Sequence, residues 1–498
     1  MAAVTLAGML SAEATALAAG WTEERLLDLA GQRLGRMLGR FFPHSGTLIG
    51  YLGKGHNAGD ALVAMSVLRD EFGWKVAART AFQIEHCAPL MRRKWRDLGL
   101  AGPLVQPPAW RDLEGPLVLL DGLLGSGTNG PLREPLLGLA AEMAWLRQQA
   151  GARVVAVDLP SGLDADSGMD SFGSVVADLT CMIGNAKIGL LAGHAAAATG
   201  ALAVVPVEIL TAAGPGEIEL IAPQTLACAK SRRPFDFHKG MAGRVGLVVG
   251  SIHYPGAAVL AATGALRGGA GLITLYVPQQ AATVIAAKCP PEVIIRGYAT
   301  LRELRDLQHD ALVVGCGLGA VEPATADELI DLIANSAVAT VIDADALNII
   351  AQAGKLGILT DRQVLTPHPG EFQRLAPDLA GLSRELAAHT FVDRCPATLL
   401  LKGSRTIVTQ HGQPLWCNAT GNPGMATGGQ GDLLAGVIGA RLASGDTPLE
   451  AAALAAWLCG RGAELAVNQP GCAETSLTPS DVARQLGGAL SDWQTSRR

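Results

Sequence analysis

The stretch Asn422-Pro-Gly-Met-Ala-Thr-Gly-Gly-Gln-Gly-Asp-Leu-Leu-Ala-Gly436 gathers five glycines around one carboxylate, Asp432. Past it, Leu433, Leu434, Val437, Ile438 and Leu442 recur with helical spacing. A Gly-rich loop running into a helix is therefore expected, with Asp432 at or just inside its N-terminus. The free N–H groups and dipole of such a helix end favour an anion such as phosphate. A carboxylate beside a bound phosphoryl group can accept the proton of an attacking hydroxyl. The plain structural alternative is an Asp N-cap after a flexible loop. Phosphoryl transfer also needs a cation to offset developing charge, and Lys402 or Mg²⁺ would serve. His368, set between two prolines, is a candidate substrate contact; a lone His is as readily structural. Glu371 and Asp345 would hold magnesium through water, or cap helices. No G-x-x-x-x-G-K-[ST] occurs, so this is not a P-loop.

The first half carries a second set. Gly53-Lys-Gly-His-Asn-Ala-Gly-Asp60 follows an apolar strand pattern, 46–53, and leads into a helical one from Ala61. That is the opening of a nucleotide-binding βαβ unit. Pro116–Asp121 and Arg153–Asp158 are further apolar strands that end in carboxylates. Ligands bind outside the carboxyl ends of strands in open α/β sheets. Asn57, Asp121, Asp158 and Ser161 could converge there as oxygen donors, suited to a hard cation or a polar ligand and not to zinc. Taken singly, each Asp reads as a cap or turn residue.

Elements must position these groups. Residues 13–39 read as one amphipathic helix, with Leu26, Leu27, Leu29, Leu34, Met37 and Leu38 toward a core. Strands near 271–277, 311–315, 340–343, 364–366 and 398–402 alternate with helices, which implies a mostly parallel sheet covered on both faces. His238-Lys239-Gly240 reads as a solvated turn before a strand or as a phosphate contact. Residues 213–216 and 228–234 read as surface connections.

At 498 residues two or three domains are expected. Hydrophobic residues make up 49%, so large cores can be buried, and 61 glycines suit close helix-on-sheet packing. The net charge of −6 without a Lys/Arg block argues against a nucleic-acid partner. Nine scattered cysteines with no C-x-x-C suggest a reducing compartment and no structural zinc. The N-terminus lacks a basic segment, and residues 189–210 are interrupted by His194, Pro206 and Glu208. Neither a signal peptide nor a membrane span is expected, and a cytoplasmic location is.

Gly53-x-Gly55-x-Asn57-x-Gly59-Asp60, Asp121-Gly-Leu-Leu-Gly125-x-Gly127, Ala156-Val-Asp158-Leu-Pro-Ser161 and Lys187-Ile-Gly-Leu resemble the YjeF-type N-terminal NAD(P)HX epimerase domain over about residues 8–220. The resemblance implies a Rossmann-like three-layer sandwich. Asn57, Asp121 and Ser161 would ligate potassium. His56, Asn57, Ala58, Gly59, Asp60, Gly125, Ser126, Gly127, Thr128 and Asp158 would hold substrate, Asp158 also being catalytic. The family usually shows Asn-Asn-Gly-Gly-Asp-Gly where this chain has His56-Asn57-Ala58-Gly59-Asp60-Ala61, and Ala58 adds a methyl in a crowded turn.

The second half resembles the ribokinase-like superfamily through Gly429-Gln-Gly431-Asp432, and within it the NAD(P)HX dehydratase branch over about residues 225–490. The motifs are His238-Lys-Gly-x-x-Gly243, Gly315-x-Gly317-Leu-Gly319, Asp343-Ala-Asp-Ala-Leu-Asn348, Thr366-Pro-His-Pro-Gly-Glu371 and Leu401-Lys-Gly403. Gln430 stands where Met is common. The resemblance implies that Asp432 is the base, that Lys402, Gly403, Ser404, Arg405, Thr406 and Gly431 contact ADP or ATP with Mg²⁺, and that Ala257, Gly317, His368 and Asp432 contact the hydrate. The expected arrangement is an epimerase domain over 1–222 and a dehydratase domain over 223–498. NADHX and NADPHX are the expected substrates, the assembly is expected to be a homo-oligomer, and ADP is the expected donor. A small-molecule kinase carrying a non-catalytic N-terminal binding module is the other reading.

Overall fold

A computed structural model describes the chain apart from residues 1, 43, 129, 211–215, 227, 229–232, 306–307 and 496–498. Most of both expected surface connections, including Lys230 and Arg232, lies outside the described residues. The chain divides into Met1–Glu217 and Ile218–Arg498. The division precedes residue 222 because Ile218–Leu220 pairs in parallel with Leu415–Asn418 as the edge strand of the second unit.

The first unit holds a six-stranded parallel sheet. In spatial order its strands are Lys75–Thr80, Thr47–Leu52, Leu117–Gly122, Arg153–Val157, Leu179–Ile183 and Ala201–Val205. Apolar residues alternate between its two faces, as period-two strands require. Leu48, Leu52, Val118, Leu120, Val155 and Val157 pack on one side. Ile49, Tyr51, Leu117, Leu119, Val154 and Ala156 pack on the other.

Two expectations are corrected here. Residues 13–39 are not one helix. Leu6–Ala18 and Glu23–Phe41 are separate, parted at Gly20, which has a φ of +90°. Thr22 opens the second helix by accepting from the Arg25 N–H at 3.2 Å. The helix after Gly53 also starts earlier than Ala61. It runs His56–Phe72, so Asn57, Ala58, Gly59 and Asp60 form its first turn and not a loop.

The second unit has a ten-stranded sheet. The strands Ile294–Tyr298, Leu272–Pro278, Arg244–Val248, Ala311–Val314, Ala339–Ile342, Gln363–Leu365 and Thr398–Leu401 run parallel. Thr406–Thr409 and Leu415–Asn418 continue it antiparallel. Val245, Leu247 and Val313 face one core and Val248, Leu312 and Val314 the other. The two units are therefore α/β, as expected. No described helix is long and apolar enough to cross a membrane.

The helix carrying Asp432, Gln430–Ala443, packs on helix Pro255–Gly268 with almost no space between backbones. A Cβ on Gly436 would lie 2.0 Å from the Ala261 carbonyl oxygen. Only glycine permits this approach.

Candidate functional site

In the first unit Asn57, Asp121 and Ser161 meet around the main chain of Leu124. Asp121 ends its strand fully buried. One of its oxygens accepts from the Ser161 hydroxyl at 2.7 Å, the other from the Ser161 N–H at 2.8 Å. The Ser161 oxygen accepts from the Leu124 N–H at 2.9 Å. Asn57 donates its amide nitrogen to the Leu124 carbonyl at 2.7 Å. Burial pushes the Asp121 carboxyl up to about 6, against the lowering effect of the Ser161 hydrogen bonds. Gly125 lies against Asn57, since a Cβ there would be 3.4 Å from the Asn57 Cβ. Thr128 closes the same loop by donating to the Gly125 carbonyl at 3.0 Å, and Gly127 and Thr128 are exposed.

Beside this knot stands Asp158, held at a φ of +69°. One of its oxygens accepts from the Ile183 N–H at 2.9 Å and from the Lys187 ammonium. Lys187 is buried and also donates to the Ile183 carbonyl at 2.7 Å. Removing one partner of a buried pair leaves an uncompensated charge, at a cost of about 3–5 kcal/mol. Burial, then the charge of Asp158, raises both Asp60 and Glu13, with Asp60 well above the usual carboxylate range. His56 is exposed, its ring 3.8 Å from Glu23. Ala58 turns its methyl into the core, so only its backbone could meet a ligand.

In the second unit the expected helix N-terminus is present. Gly429 precedes the first turn at a φ of +93°, and Asp432 lies in that turn. Burial, then the charge of Asp343, pushes Asp432 up to about 6, while Lys402 opposes the shift. Asp343 follows strand Ala339–Ile342 and is 1% exposed. Its Oδ1 accepts from Thr366 Oγ1 at 2.7 Å and from Lys402 Nζ at 2.9 Å. Its Oδ2 lies 3.5 Å from Cys316 Sγ. Burial works against the charge of Lys402, but Asp343 and Glu371 outweigh it and hold the ammonium above the usual lysine range.

Gly317 and Ala257 are side by side, since a Cβ on Gly317 would fall 2.6 Å from the Ala257 methyl. Gly317 and Asp345 line a cleft of about 990 Å³ with Tyr254, Asn348 and Arg374. Asp432 is not on that wall, but Cys316 and Asp343, neighbours of Gly317 and Asp345, lie in its cluster. Asp345 accepts from the Gly319 N–H at 2.8 Å, and Arg374 donates to Asn348 at 2.7 Å.

His368 caps helix Pro369–Leu375: its Nδ1 accepts from the Gly370 N–H at 3.0 Å, and Glu371 returns the contact by accepting from the His368 N–H at 2.7 Å. Its exposed ring has a structural role whatever else it touches. Glu371 is buried in this cap.

Lys402–Thr406 join two antiparallel strands. Gly403 and Ser404 are exposed, and Arg405 turns inward, 5% exposed. The Arg384 guanidinium crosses over Gly403 and donates to the Lys402 carbonyl at 3.2 Å. His238, Lys239 and Gly240 form an exposed turn. Lys187, Asp343, Cys316, Arg374 and Arg384 were not among the expected site residues. Lys187 and Asp343 stood within quoted motifs, a signal that could have found them.

Two parallel α/β units, each with buried ionisable groups gathered at its strand ends, define a two-domain enzyme. Residues 23–189 match the YjeF-related protein N-terminus, and residues 245–486 match the NAD(P)H-hydrate dehydratase family. A bifunctional NAD(P)H-hydrate repair enzyme of Gloeobacter violaceus is 36% identical over 89% of this chain and 89% of its own. One of Coxiella burnetii is 31% identical over 95% of this chain and 96% of its own. An ADP/ATP-dependent NAD(P)H-hydrate dehydratase of Bacillus subtilis, solved with ATP/Mg²⁺, is 26% identical over 54% of this chain and 95% of its own, with a TM-score of 0.46. The chain belongs to the family of bifunctional NAD(P)H-hydrate repair enzymes.

Proposed function

We propose that the first unit interconverts the R and S epimers of NADHX and NADPHX, and that the second dehydrates the S epimer at the expense of ADP or ATP. The observation that carries this reading is Asp432 in the first turn of a helix, beside the buried Asp343–Lys402 pair. The N–H groups of that turn, including Gly431, suit the nucleotide phosphates. Lys402 supplies positive charge where negative charge develops. Asp432 takes the proton of the hydrate's hydroxyl as that oxygen attacks the terminal phosphoryl group. The C–O bond then breaks with loss of phosphate in place of hydroxide, and the neighbouring ring carbon gives up a proton to solvent, which restores the double bond of the dihydronicotinamide. The cleft lined by Gly317, Asn348 and Arg374 would take the hydrated dinucleotide. Asp345 sits on that wall and fits a water-bridged magnesium, which would screen the phosphate charge when bound.

In the first unit Asp121, Ser161 and the Leu124 carbonyl present oxygens, and Asn57, whose amide nitrogen is on the Leu124 carbonyl, keeps its Oδ1; these oxygens suit a hard cation. Potassium there would supply fixed positive charge to the substrate. Asp158, oriented by Lys187, is the group that would exchange a proton with it.

The test is recovery of dihydronicotinamide absorbance from a mixture of both NADHX epimers with ADP or ATP, Mg²⁺ and K⁺. Full recovery is expected, and the donor that supports it is named by the same assay. Recovery that stops when one epimer is exhausted would reduce the first unit to a binding module. A lasting phosphorylated product would identify a small-molecule kinase instead.

A further inference from the structure

We propose that Glu13 is a second proton-transferring residue of the first unit, working with Asp158 to exchange the hydroxyl of the hydrate. This rests on the reading of that unit as an epimerase. Only Met9 and Ala16 of helix Leu6–Ala18 are buried. Glu13 lies four residues after the one and three before the other, so it shares their inward face. Contacts with neighbouring segments fix this helix beyond the end of strand Leu179–Ile183. Ala3–Val4 pairs in parallel with Ala186–Lys187 and puts Val4 opposite Lys187. The Leu6 N–H donates to Asp166 at 2.6 Å, and the Asn185 amide lies 3.8 Å from Met9 Sδ. Asp158 follows the neighbouring strand, Arg153–Val157.

Glu13 thus stands where an apolar side chain would serve the packing. It is half-buried, and among the described residues its carboxyl makes no hydrogen bond and no ion pair. The charges it meets are those of Asp158, Lys187, His56 and Glu23, and Asp60 meets Glu13 in turn. Lys187 is one ammonium among the three carboxyl groups of Glu13, Asp60 and Asp158, so the cluster favours keeping a proton. Burial, then the charge of Asp158, raises the Glu13 carboxyl, with Lys187 and His56 opposing. An acid that keeps its proton, near a carboxylate ion-paired with Lys187, makes a donor and an acceptor in one site.

The chemistry balances. The hydroxyl carbon of the hydrate is bonded to the ring nitrogen. The nitrogen lone pair forms a C=N bond as the C–O bond breaks, and the departing oxygen takes the Glu13 proton and leaves as water. Water then adds to the opposite face of that carbon and yields a proton to the Asp158 carboxylate, while the C=N electrons return to nitrogen. The configuration is inverted. Asp158 releases its proton to solvent, and Glu13 takes one back. Two groups on separate elements serve the two faces of the ring, and the reverse reaction uses the same pair with roles exchanged.

The experiment incubates the full-length protein with S-NADPHX and K⁺ in water labelled with heavy oxygen, with no nucleotide donor. Chromatography follows the epimers and mass spectrometry follows the label, each above the enzyme-free rate. In wild type we expect one labelled oxygen in each molecule of R epimer formed. The near-isosteric Glu13→Gln should lower kcat for epimerisation by about 10²–10⁴-fold with KM nearly unchanged, which also shows that its site is folded. Glu13→Asp keeps the acid and should retain more of the rate than Glu13→Gln. Near-normal kcat in Glu13→Gln would overturn the proposal. So would equal loss in both variants, or a raised KM with kcat intact, since Glu13 would then only hold the substrate or the helix. R epimer without label would overturn the hydroxyl exchange. A wild type that forms no R epimer above the enzyme-free rate would instead refute the epimerase reading itself.

Discussion

Asp432 and Asp121 are both pushed up to about 6 by burial, yet their neighbours separate them. Asp121 is tied down by Ser161 through both oxygens, which suits a fixed donor. Asp432 faces the negative Asp343 and the positive Lys402, which suits a group that gains and loses a proton. Asp432→Asn keeps the shape and removes the proposed base. Dehydration should fall by about 10²–10⁴-fold, the usual contribution of a positioned proton acceptor, with nucleotide affinity nearly intact. Near-normal turnover would reject the role. The sign of the pH dependence follows from the same group. Its carboxyl is raised from the ordinary value, and a base works only when deprotonated. The dehydration rate should therefore hold above about 6 and fall as pH drops through it. A rate–pH profile measures this, and a flat profile across that region would contradict it.

Helix packing decides where Asp432 stands. Helices Pro255–Gly268 and Gln430–Ala443 approach so closely that Gly436 has the Ala261 carbonyl where a side chain would be. Gly436→Ala must push the helices apart, and overpacking of this kind costs about 1–3 kcal/mol. It should lower the denaturation midpoint of the second unit and weaken dehydration by shifting Asp432 away from Asp343. Chemical denaturation and steady-state kinetics check the two effects. Unchanged stability would mean that the helices have slack. The first unit uses its elements differently. Because helix His56–Phe72 begins at His56, Asn57 sits on a rigid first turn and meets Leu124, in the loop after the neighbouring strand Leu117–Gly122, directly.

At the scale of the whole molecule, two chemistries occupy two α/β units. Asp121→Ala should slow consumption of the R epimer and leave dehydration of the S epimer unchanged. Asp432→Asn should do the reverse, with epimers still interconverting but no dihydronicotinamide formed. Separating the epimers by chromatography during the reaction distinguishes the two outcomes. Loss of dehydration in Asp121→Ala would mean the activities are assigned to the wrong units. Removing potassium should reproduce the Asp121→Ala pattern.

Period-two strands, the glycine-rich turns and the helical run after Asp432 are local patterns, and local sterics and burial made them readable along the chain. The α/β class, the strand-end positions of Asp121 and Asp343 and the helix start at Asp432 all follow from them. Helix boundaries were less legible: residues 13–39 broke at Gly20, and the helix at His56 began ahead of its apolar run. At Gly20 turn geometry and the Thr22 cap outweighed periodicity, whereas the helix at His56 starts after Gly55 with no side-chain cap. What pairs with what was not legible at all. Lys187 meets Asp158, Lys402 meets Asp343, and Cys316 meets Asp343 as well, across gaps of 29, 59 and 27 residues. Such contacts depend on strand order and register, which local sequence does not specify. His368 shows the same limit: its type and setting announced a polar role, and only the folded chain made it a helix cap.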